Sequence, residues 1–473
     1  MMATIEPLVL RNPVRVVSAT SLFDGHDAAI NLMRRLMQAS GAEVIHLGHN
    51  RSVRELVEAA IQEDAQGIAV SSYQGGHNEF FRYLVDMLAE EGAGHIRVAG
   101  GGGGVIRPDE IRALCKQGVA ALYSADDGRR LGLAGMMRHL FERLDFPTVA
   151  MTGKPKPPKA RDGKLVGWVG APPPSAEEVS SGRHIQVARA ITMAERGGKR
   201  FSDLRAALAE RAGGRRTVVV GVTGTGGAGK SSLTDELIRR FVADDSARTA
   251  AVLSCDPTKR RTGGALLGDR IRMNAVRMPQ VYMRSFASRG SEREVPAALR
   301  DAILVCKAAG FDLVFVETAG IGQADSAITE FADVSLYVMT AEYGAATQLE
   351  KIEMLDAADA VVINKFERRG SDDALRDVRR QWARAHGVPA DPVKMADFPV
   401  FGTIASQFDD HGINGLFVHL LGLVAGKGGP AFAHSIPEAR RARVTKFRHM
   451  FPPERVGYLR EIAETCRGYR AVV

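Results

Sequence analysis

The stretch TVVVGVTGTGGAGKSSL (217–233) decides the fold of the larger part of this sequence. A β-branched strand runs into a glycine-rich turn, where Gly224-x4-Gly229-Lys230-Ser231 precedes the amphipathic helix SSLTDELIRRF. Successive backbone N–H groups of such a turn surround phosphate oxygens, which is why side chains are largely absent from it. In this pattern the lysine contacts the β- and γ-phosphates and the serine hydroxyl ligates Mg²⁺. The stretch therefore predicts a P-loop that binds a nucleoside triphosphate.

Strand and helix patterns continue on both sides of this turn. Downstream, short apolar runs predict the strands AAVLSCD, DLVFVETAG, VSLYVMTA and AVVINK. Upstream, a separate alternation predicts VRVVSAT, EVIHLG, GIAVSS, IRVAG and VAALYS. Short apolar strands that alternate with helices are typical of parallel, doubly wound sheets. We therefore predict an α/β chain with a five-stranded flavodoxin-like (Rossmann-type) domain and a P-loop domain, both with mainly parallel sheets. The predicted segments are 12–145, a Pro/Gly/Lys-rich linker at 146–183, 184–425 and a tail at 426–473.

Composition narrows the possible classes of protein. The 473 residues are 45% apolar and 25% charged, with a formal charge of +8 and no apolar run long enough to span a membrane. No secretion signal is recognisable at the start, and the four cysteines form no CxxC pair. These features favour a reducing cytoplasm. The basic stretch KPKPPKAR (154–161) is interpreted as a solvated linker, and a nucleic-acid-associated GTPase remains an alternative.

Carboxylates at other strand ends are candidates for the Mg²⁺ site. Glu317 ends LVFVE and Asp256 ends AVLSCD. Carboxylates that converge beside a P-loop usually serve the metal. A further strand ends in Asn364-Lys365-Phe366-Glu367, which resembles the NKxD element of GTPases with glutamate in place of aspartate. Guanine is the expected base, and adenine stays open.

Three segments of this domain resemble one family. DPTKRRTGGALLGDRIRM (256–273), ETAGIGQAD (317–325) and NKFE are similar to the G-protein chaperones of cobalamin-dependent acyl-CoA mutases. The resemblance implies switch loops at 320–325 and 342–355, the latter facing a partner. It implies Mg²⁺ contacts from Ser231, Asp256, Asp269, Glu317 and Thr318, and catalytic roles for Lys230, Glu317 and Gln323. The implied GTP contacts are Gly226, Gly227, Ala228, Gly229, Lys230, Ser231, Ser232, Arg272, Asn364, Lys365, Glu367 and Ser406.

The first strand of the upstream domain ends in SLFDGHDAA, and this segment carries a second resemblance. Asp24-Gly25-His26 is similar to the DxHxxG motif of base-off/His-on cobalamin domains. A histidine in a strand-to-helix loop presents one ring nitrogen to cobalt, while the aspartate accepts the other ring N–H. Ser71 and Tyr73 stand where that family has SxL, and the run Gly100–Gly104 stands where it has GG.

The match to this cobalamin motif is not complete. The glycine run hides the register, and Gly103 with Gly104 is the preferred pair because VIRP follows. Ala29 replaces the last glycine of the motif and Tyr73 replaces its leucine, although neither change removes a ligand. A phosphorelay receiver shares this fold, but it needs an aspartate where the third strand here ends in Ser71.

Four further histidines of the upstream domain are not part of the motif. His46, His49, His77 and His95 are interpreted as surface or loop residues. For His77, in QGGHNEF, a place at the edge of the corrin ring stays open.

The order of the two domains resembles the amino-terminal half of the fused isobutyryl-CoA mutase family. That family continues into a (β/α)₈ barrel, for which the tail after 425 is too short, so mutase activity is not expected from this chain alone. The resemblance implies adenosylcobalamin, Mg²⁺ and GTP, with hydrolysis gating the loading and removal of cobalamin. It implies an acyl-CoA mutase barrel as partner, a homodimer through the G domain and a cobalamin-delivering adenosyltransferase. A cobalamin-sensing GTP-dependent regulator without a mutase partner is the alternative.

Overall fold

The computed structural model places strands and helices along most of the chain. It describes residues 8–154, 160–165, 168–256, 258, 262–288, 298–318, 325–343, 349, 352, 354–389, 391, 393–447 and 457–472. The strands are β1 (Arg15–Ser21), β2 (Glu43–Arg51), β3 (Gly67–Ser71), β4 (Arg97–Gly101), β5 (Ala121–Tyr123), β6 (Ala160–Arg161), β7 (Lys164–Leu165), β8 (Val218–Gly224), β9 (Ala250–Asp256), β10 (Ala265–Leu267), β11 (Val281–Ala287), β12 (Leu313–Glu317), β13 (Val334–Met339), β14 (Ala360–Asn364) and β15 (Val400–Thr403).

Helices cover both faces of the two large sheets. They are α1 (Ala28–Ala39), α2 (Val53–Gln62), α3 (His77–Glu90), α4 (Pro108–Lys116), α5 (Ala125–Leu144, kinked at Gly132), α6 (Ala176–Ser180), α7 (His184–Arg196), α8 (Lys199–Ala212), α9 (Lys230–Ala243), α10 (Leu299–Ala309), α11 (Met354–Ala357), α12 (Ser371–Ala385), α13 (His411–Gly426) and α14 (Tyr458–Val472). Among the described helices, none is both long and apolar enough to cross a lipid bilayer.

The upstream domain contains the predicted five parallel strands in the order β2-β1-β3-β4-β5. All seven residues of β1 are buried, as expected for a central strand covered on both faces. Ser52 begins α2 with a capping box, in which its hydroxyl accepts from the Glu55 amide and the Glu55 carboxylate accepts from the Ser52 amide. Because β1, β3 and β4 are parallel neighbours, their carboxyl ends lie at one edge of the sheet.

The downstream domain is a seven-stranded parallel sheet. Its order is β11-β9-β12-β8-β13-β14-β15, in which β8 is the middle strand and lies between β12 and β13. Five of these strands agree with the predicted runs, whereas β11 and β15 were not predicted. At the end of β8, Gly224 has φ +137°, and a Cβ there would lie 1.8 Å from the Val338 carbonyl oxygen. The P-loop therefore requires glycine at its first position.

A strand of the downstream half completes the upstream sheet. β10 pairs in parallel with the edge strand β2, with Ala265 opposite Glu43 and Leu267 opposite Ile45. This pairing makes the upstream sheet six-stranded and joins the two domains by backbone hydrogen bonds. Gly264 enters the strand, where a Cβ would lie 2.1 Å from the Gln38 carbonyl oxygen. The sequence did not predict this strand, because it is short and pairs across more than two hundred residues.

The segment between the domains is folded where it is described. Val149 and Ala171 form an isolated parallel bridge, both are buried, and Trp168 Nε1 donates to the Pro147 carbonyl at 2.8 Å. The predicted linker is thus packed against the domains at these positions. In the tail, the described residues end in the exposed helix α14.

Replacing Gly264 by alanine tests the docking of β10. The added methyl group would meet backbone oxygen, so we expect a loss of about 1–3 kcal/mol of stability. The midpoint of thermal unfolding then falls by about 2–4 °C for each kcal/mol. Gly268→Ala is the matched control, because φ is −103° and no heavy atom lies within 4 Å of its added Cβ. Equal midpoints for the two variants would show that β10 does not depend on Gly264.

Candidate functional site

The loop after β1 is organised by one buried carboxylate. Asp24 is 1% exposed and its Oδ2 accepts from the Tyr73 amide at 2.6 Å. Its Oδ1 accepts from the His26 amide at 2.9 Å. Burial raises the pKa of Asp24, but the hydrogen bonds from Tyr73 and His26 outweigh it and hold that pKa below its ordinary value. Asp24 therefore joins the ends of β1 and β3 as a carboxylate.

His26 is held by one ring nitrogen and open at the other. Nδ1 lies 2.9 Å from Asp24 Oδ1, and the imidazole is 77% exposed. A carboxylate that accepts the Nδ1 proton leaves Nε2 as the lone-pair donor, which is the tautomer that a metal ligand needs. The Tyr73 ring lies 5.8 Å from the imidazole between centroids. The predicted pair Asp24 and His26 is therefore in hydrogen-bonding contact, and the His26 imidazole is exposed on its other side.

A cavity of about 320 Å³ opens beside this loop. Ser71, Tyr73 and the backbone of Gly100–Gly103 line one wall, and the rest is mainly apolar, with Met33, Met37, Leu133, Met136 and Leu140. Ser71 Oγ is buried without a hydrogen-bond partner in the described part of the chain. An apolar slot with one unsatisfied hydroxyl, beside an outward imidazole, fits a cofactor tail that carries a ring and polar groups.

The apolar lining and the glycine register go beyond the sequence prediction. The methionines on α1 and α5 gave no signal except helical spacing, which core residues share. Gly103, with φ +57°, lines the cavity beside the Tyr73 ring, whereas Gly104 is not among the lining residues. Gly102 admits no side chain, because a Cβ would lie 1.9 Å from the Ser72 carbonyl oxygen. The glycine run thus serves both the wall and the close approach of two loops.

The interpretation of the other histidines as surface or loop residues was wrong for His46, which lies in β2, and for His77, which lies in α3, whereas His95 lies in a turn before β4. His46, His77 and His95 are buried, and only His49 is exposed. His77 Nε2 lies 3.1 Å from Glu110 Oε2, and His77 is not among the residues that line the cavity. His46 Nδ1 pairs with Ser18 Oγ at 3.0 Å, and burial lowers the pKa of His46 to about 4.

The second site lies at the ends of β8, β9 and β12. Lys230 Nζ donates to the carbonyls of Gly224 at 3.0 Å and Thr225 at 3.3 Å, across the mouth of the turn. Gly229, at φ +88°, admits no side chain because its Cβ would lie 2.5 Å from Asn364 Nδ2. Gly226 and Gly227 are exposed, and Ala228 is buried. The Ala228 amide closes the turn by donating to the Thr225 carbonyl at 3.2 Å. Turns of this kind form concave surfaces of backbone N–H groups that bind anions.

The Asn-Lys pair braces the P-loop. Asn364 Nδ2 donates to the Ala228 carbonyl at 2.8 Å, and its Oδ1 accepts from the Ala405 amide at 3.1 Å. Lys365, at φ +56°, donates from Nζ to the Gly227 carbonyl at 2.7 Å. Glu367 and Ser406 are exposed at the ends of β14 and β15. The predicted base-contacting residues therefore lie at the same sheet edge as the phosphate turn.

Carboxylates converge on Ser231 as predicted. Glu317 Oε1 accepts from Ser231 Oγ at 2.6 Å, and Asp269 Oδ1 accepts from the same hydroxyl at 3.4 Å. Burial, followed by the charge of Asp269, raises the pKa of Glu317 and of Asp256 above the ordinary range. Glu317 Oε2 and Asp256 Oδ2 are buried, and neither has a hydrogen-bond partner among the residues that the structure describes. A divalent cation relieves this repulsion, so the residues fit Mg²⁺.

The cation would not be chelated by protein alone. In the described part of the chain no group of three or more His, Cys, Asp or Glu side chains is arranged as a complete metal site. This agrees with the preference of Mg²⁺ for one or two protein ligands together with phosphate oxygens and water. The Thr318 hydroxyl donates to Thr223 Oγ1 at 2.8 Å, which leaves the lone pairs of its oxygen for the predicted contact with the cation. Ser232 follows on α9 and is half-buried.

Of the remaining predicted residues, Arg272 lies at the rim of the site and Gln323 lies outside the described residues. The Arg272 side chain is 67% exposed and its Nη1 lies 3.9 Å from Asp269 Oδ1, so it stands at the rim. Gln323 and most of the expected switch 320–325 lie outside the described residues, as does part of 342–355.

Family models match both domains. Residues 14–128 match the B12 binding domain, and residues 187–417 match the methylmalonyl Co-A mutase-associated GTPase MeaB. The chain therefore joins a B12-binding domain to a GTPase domain of the MeaB family.

Two curated relatives match nearly the whole chain, and a third matches one part of it. A fused isobutyryl-CoA mutase of Geobacillus kaustophilus is 55% identical over 97% of this chain and 41% of its own length. One from Nocardia farcinica is 51% identical over 97% of this chain and 40% of its own length. A methylmalonic aciduria type A homolog of Caenorhabditis elegans is 33% identical over 31% of this chain and 37% of its own length. Over nearly its whole length the chain is similar to the fused isobutyryl-CoA mutases, and it spans about two fifths of the length of those relatives.

Replacing Asp24 by asparagine tests the anchoring of the histidine loop. The amide accepts only at its oxygen, so it cannot serve both Tyr73 and the His26 ring as the carboxylate does. We expect cobalamin affinity to fall by about 10–100-fold, as is usual when the partner of a metal-binding histidine is lost. A cobalamin titration that is monitored by visible absorbance measures this affinity. Asp27→Asn, at an exposed position of the same loop, is the control and should bind like the parent. Equal affinities would contradict the role of Asp24.

Proposed function

We propose that this chain binds adenosylcobalamin through His26 and hydrolyses GTP at the P-loop. The cofactor supplies a cobalt–carbon bond whose homolysis starts radical rearrangements. The observation that carries the proposal is the outward His26 imidazole, fixed at Nδ1 by a buried carboxylate 2.9 Å away and next to Tyr73, which lines an apolar cavity. Asp24 holds the proton on Nδ1, and the side chains of the cavity exclude water from the cofactor tail. Ser71 is the proposed polar contact inside it, and Gly103 part of its wall.

For the nucleotide we propose the following division of roles. The backbone of 226–229 and Lys230 hold the phosphates, Ser231 ligates Mg²⁺, and Glu317, Asp256 and Asp269 stabilise it directly or through water. The buried, repelling carboxylates beside the Ser231 hydroxyl support this assignment. Asn364 and Lys365 brace the turn and, with the exposed Glu367 and Ser406, receive the guanine base. Arg272 is proposed to approach the phosphates from the rim.

We further propose that the chain serves an acyl-CoA mutase of the isobutyryl-CoA type. Its expected partner is a barrel domain or subunit that binds the acyl-CoA, because the relatives in which this half occurs are named fused isobutyryl-CoA mutases. Hydrolysis of GTP would gate cobalamin loading and removal through order–disorder of switch loops. A homodimer through the G domain and an adenosyltransferase that delivers the cofactor complete the proposal, with 12–145 and 184–425 as the two working units.

Replacing His26 by alanine tests the cofactor half. The variant loses the imidazole, so bound cobalamin should show the spectrum of a cofactor without a nitrogen ligand from the protein. His49→Ala is the matched control, since His49 is exposed at the end of β2 and outside the motif. Visible spectra of the purified chain with adenosylcobalamin measure the difference. A His26→Ala spectrum identical to that of the parent would refute the ligand assignment.

Replacing Lys230 by alanine tests the division between the two halves. Removal of the Lys230 ammonium group, proposed to contact the phosphates, should reduce the rate of GTP hydrolysis by about 10²-fold or more. Loss of one hydrogen-bond donor that stabilises charge in a transition state has an effect of this size. Cobalamin affinity should stay within twofold of the parent. Phosphate release and visible titration measure the two quantities, with the exposed Lys199→Ala as control. Joint loss of both properties in Lys230→Ala would contradict independent sites.

A further inference from the structure

Charged side chains are buried between the two domains, and neither site uses them. Arg15 lies on β1, Glu63 follows α2, Glu195 lies on α7, Arg270 follows β10, and Arg284 lies on β11. We call these five residues the interdomain charge cluster. Arg15 contacts Glu63 at 3.4 Å and Glu195 at 2.7 Å, and Arg284 contacts Glu195 at 2.5 Å. The side chains are almost completely buried.

Arg270 is the member of this cluster that stands nearest the nucleotide site. Its Nη1 donates to Gln62 Oε1 at 2.9 Å, its Nη2 to the Met283 carbonyl at 2.7 Å, and its Nε to Glu63 Oε1 at 3.3 Å. Gln62 and Glu63 belong to the cobalamin-binding domain. Glu63 itself also accepts from the Ser285 hydroxyl at 2.9 Å. The guanidinium therefore occupies a polar pocket made jointly by both domains.

The residue before Arg270 is Asp269, one of the carboxylates at Ser231. Asp269 Oδ2 accepts from Ser254 Oγ at 2.7 Å, and Oδ1 accepts from Ser231 Oγ at 3.4 Å. Asp269 and Arg270 both lie on a four-residue 3-10 turn, Asp269–Arg272, that follows β10. A turn this short has few hydrogen bonds of its own, so contacts of its side chains and the pairing of β10 decide where its backbone lies. Arg270 supplies the largest set of such contacts.

We propose that Arg270 is a positioning residue for the Mg²⁺ site. By inserting its guanidinium between Gln62 and Met283, it holds Asp269 at Ser231, so the cobalamin-binding domain sets the geometry of the metal site of the GTPase domain. This inference rests on the proposed role of Asp269 toward Mg²⁺. It assigns to Arg270 a function that a residue serving only to hold the domains together would lack.

The Mg²⁺ dependence of nucleotide binding tests this role without relying on hydrolysis. Affinity of the full chain for a fluorescent GDP analogue is measured over a range of Mg²⁺ concentrations. For Arg270→Gln the half-saturating Mg²⁺ concentration should rise about tenfold, the lower end of what loss of a supporting partner costs a metal site. Arg270→Lys keeps the positive charge but loses the planar guanidinium with its several N–H donors, and we expect a smaller rise of about threefold in the half-saturating Mg²⁺ concentration. Should Arg270→Gln fail to fold, Arg270→Lys carries the test.

Two further variants separate the possible explanations. Arg277→Gln removes an ion pair to Glu55, 3.1 Å long, at the half-exposed rim of the same domain interface, and it should bind Mg²⁺ like the parent. Asp269→Asn should raise the Mg²⁺ requirement, and adding Arg270→Gln to it should raise it no further.

Each outcome then has one meaning. An unchanged Mg²⁺ requirement in Asp269→Asn overturns the proposed metal role of Asp269 itself. A raised requirement in Asp269→Asn together with an unchanged one in both Arg270 variants overturns the positioning role alone. The positioning role is also overturned if the two substitutions in the double variant each raise the Mg²⁺ requirement by their full factor, because Arg270 would then act independently of Asp269. It is likewise overturned if Arg277→Gln raises the Mg²⁺ requirement as much as Arg270→Gln does, because Arg270 would then act only as part of the interface.

Discussion

Buried charge between the domains is the constraint on which the relative placement of the two sites depends. Each ion of the interdomain charge cluster loses its hydration, and this loss is repaid only where partners stand at hydrogen-bonding distance. Glu63 meets this condition with Arg15, Arg270 and Ser285 around one carboxylate. Loss of one partner from a buried pair costs about 3–5 kcal/mol, so sliding of one domain over the other is penalised. Together with the pairing of β10 on β2, the cluster fixes one arrangement.

Both sites follow from the same property of parallel sheets. Carboxyl ends of neighbouring strands meet at one edge, so residues far apart in sequence converge there. Asp24 after β1 binds the Tyr73 amide after β3, and Glu317 at the end of β12 meets Ser231 after β8. In each case a buried carboxylate organises the more exposed group that would touch the ligand. Hydrogen bonds stabilise the upstream carboxylate in its ionised form, whereas the downstream carboxylates repel one another and fit a divalent cation.

Local patterns predicted the elements that depend on neighbours in sequence. The P-loop, the DGH loop and ten of the strands could be recognised, because strand period, glycine spacing and polar residues at strand ends are local signals. The strands β10 and β11 were missed, since their place depends on pairing with β2 and β9. Burial of His46 in β2, of His77 in α3 and of His95 in a turn was missed for the same reason, because the sequence around a histidine does not reveal what packs against it. The five-glycine run could not reveal which residues face the cavity until the strand ends were placed.

Ligation of cobalt by a protein imidazole is the central claim, and labelling the histidines measures it most directly. The chain is produced with ¹⁵N-histidine, loaded with unlabelled cob(II)alamin and examined by electron paramagnetic resonance. An axial histidine nitrogen predicts that each cobalt hyperfine line is split into a doublet by ¹⁵N, where unlabelled protein gives a triplet by ¹⁴N. A triplet that persists in the labelled protein, from the cofactor's own base, or lines without nitrogen splitting would contradict it.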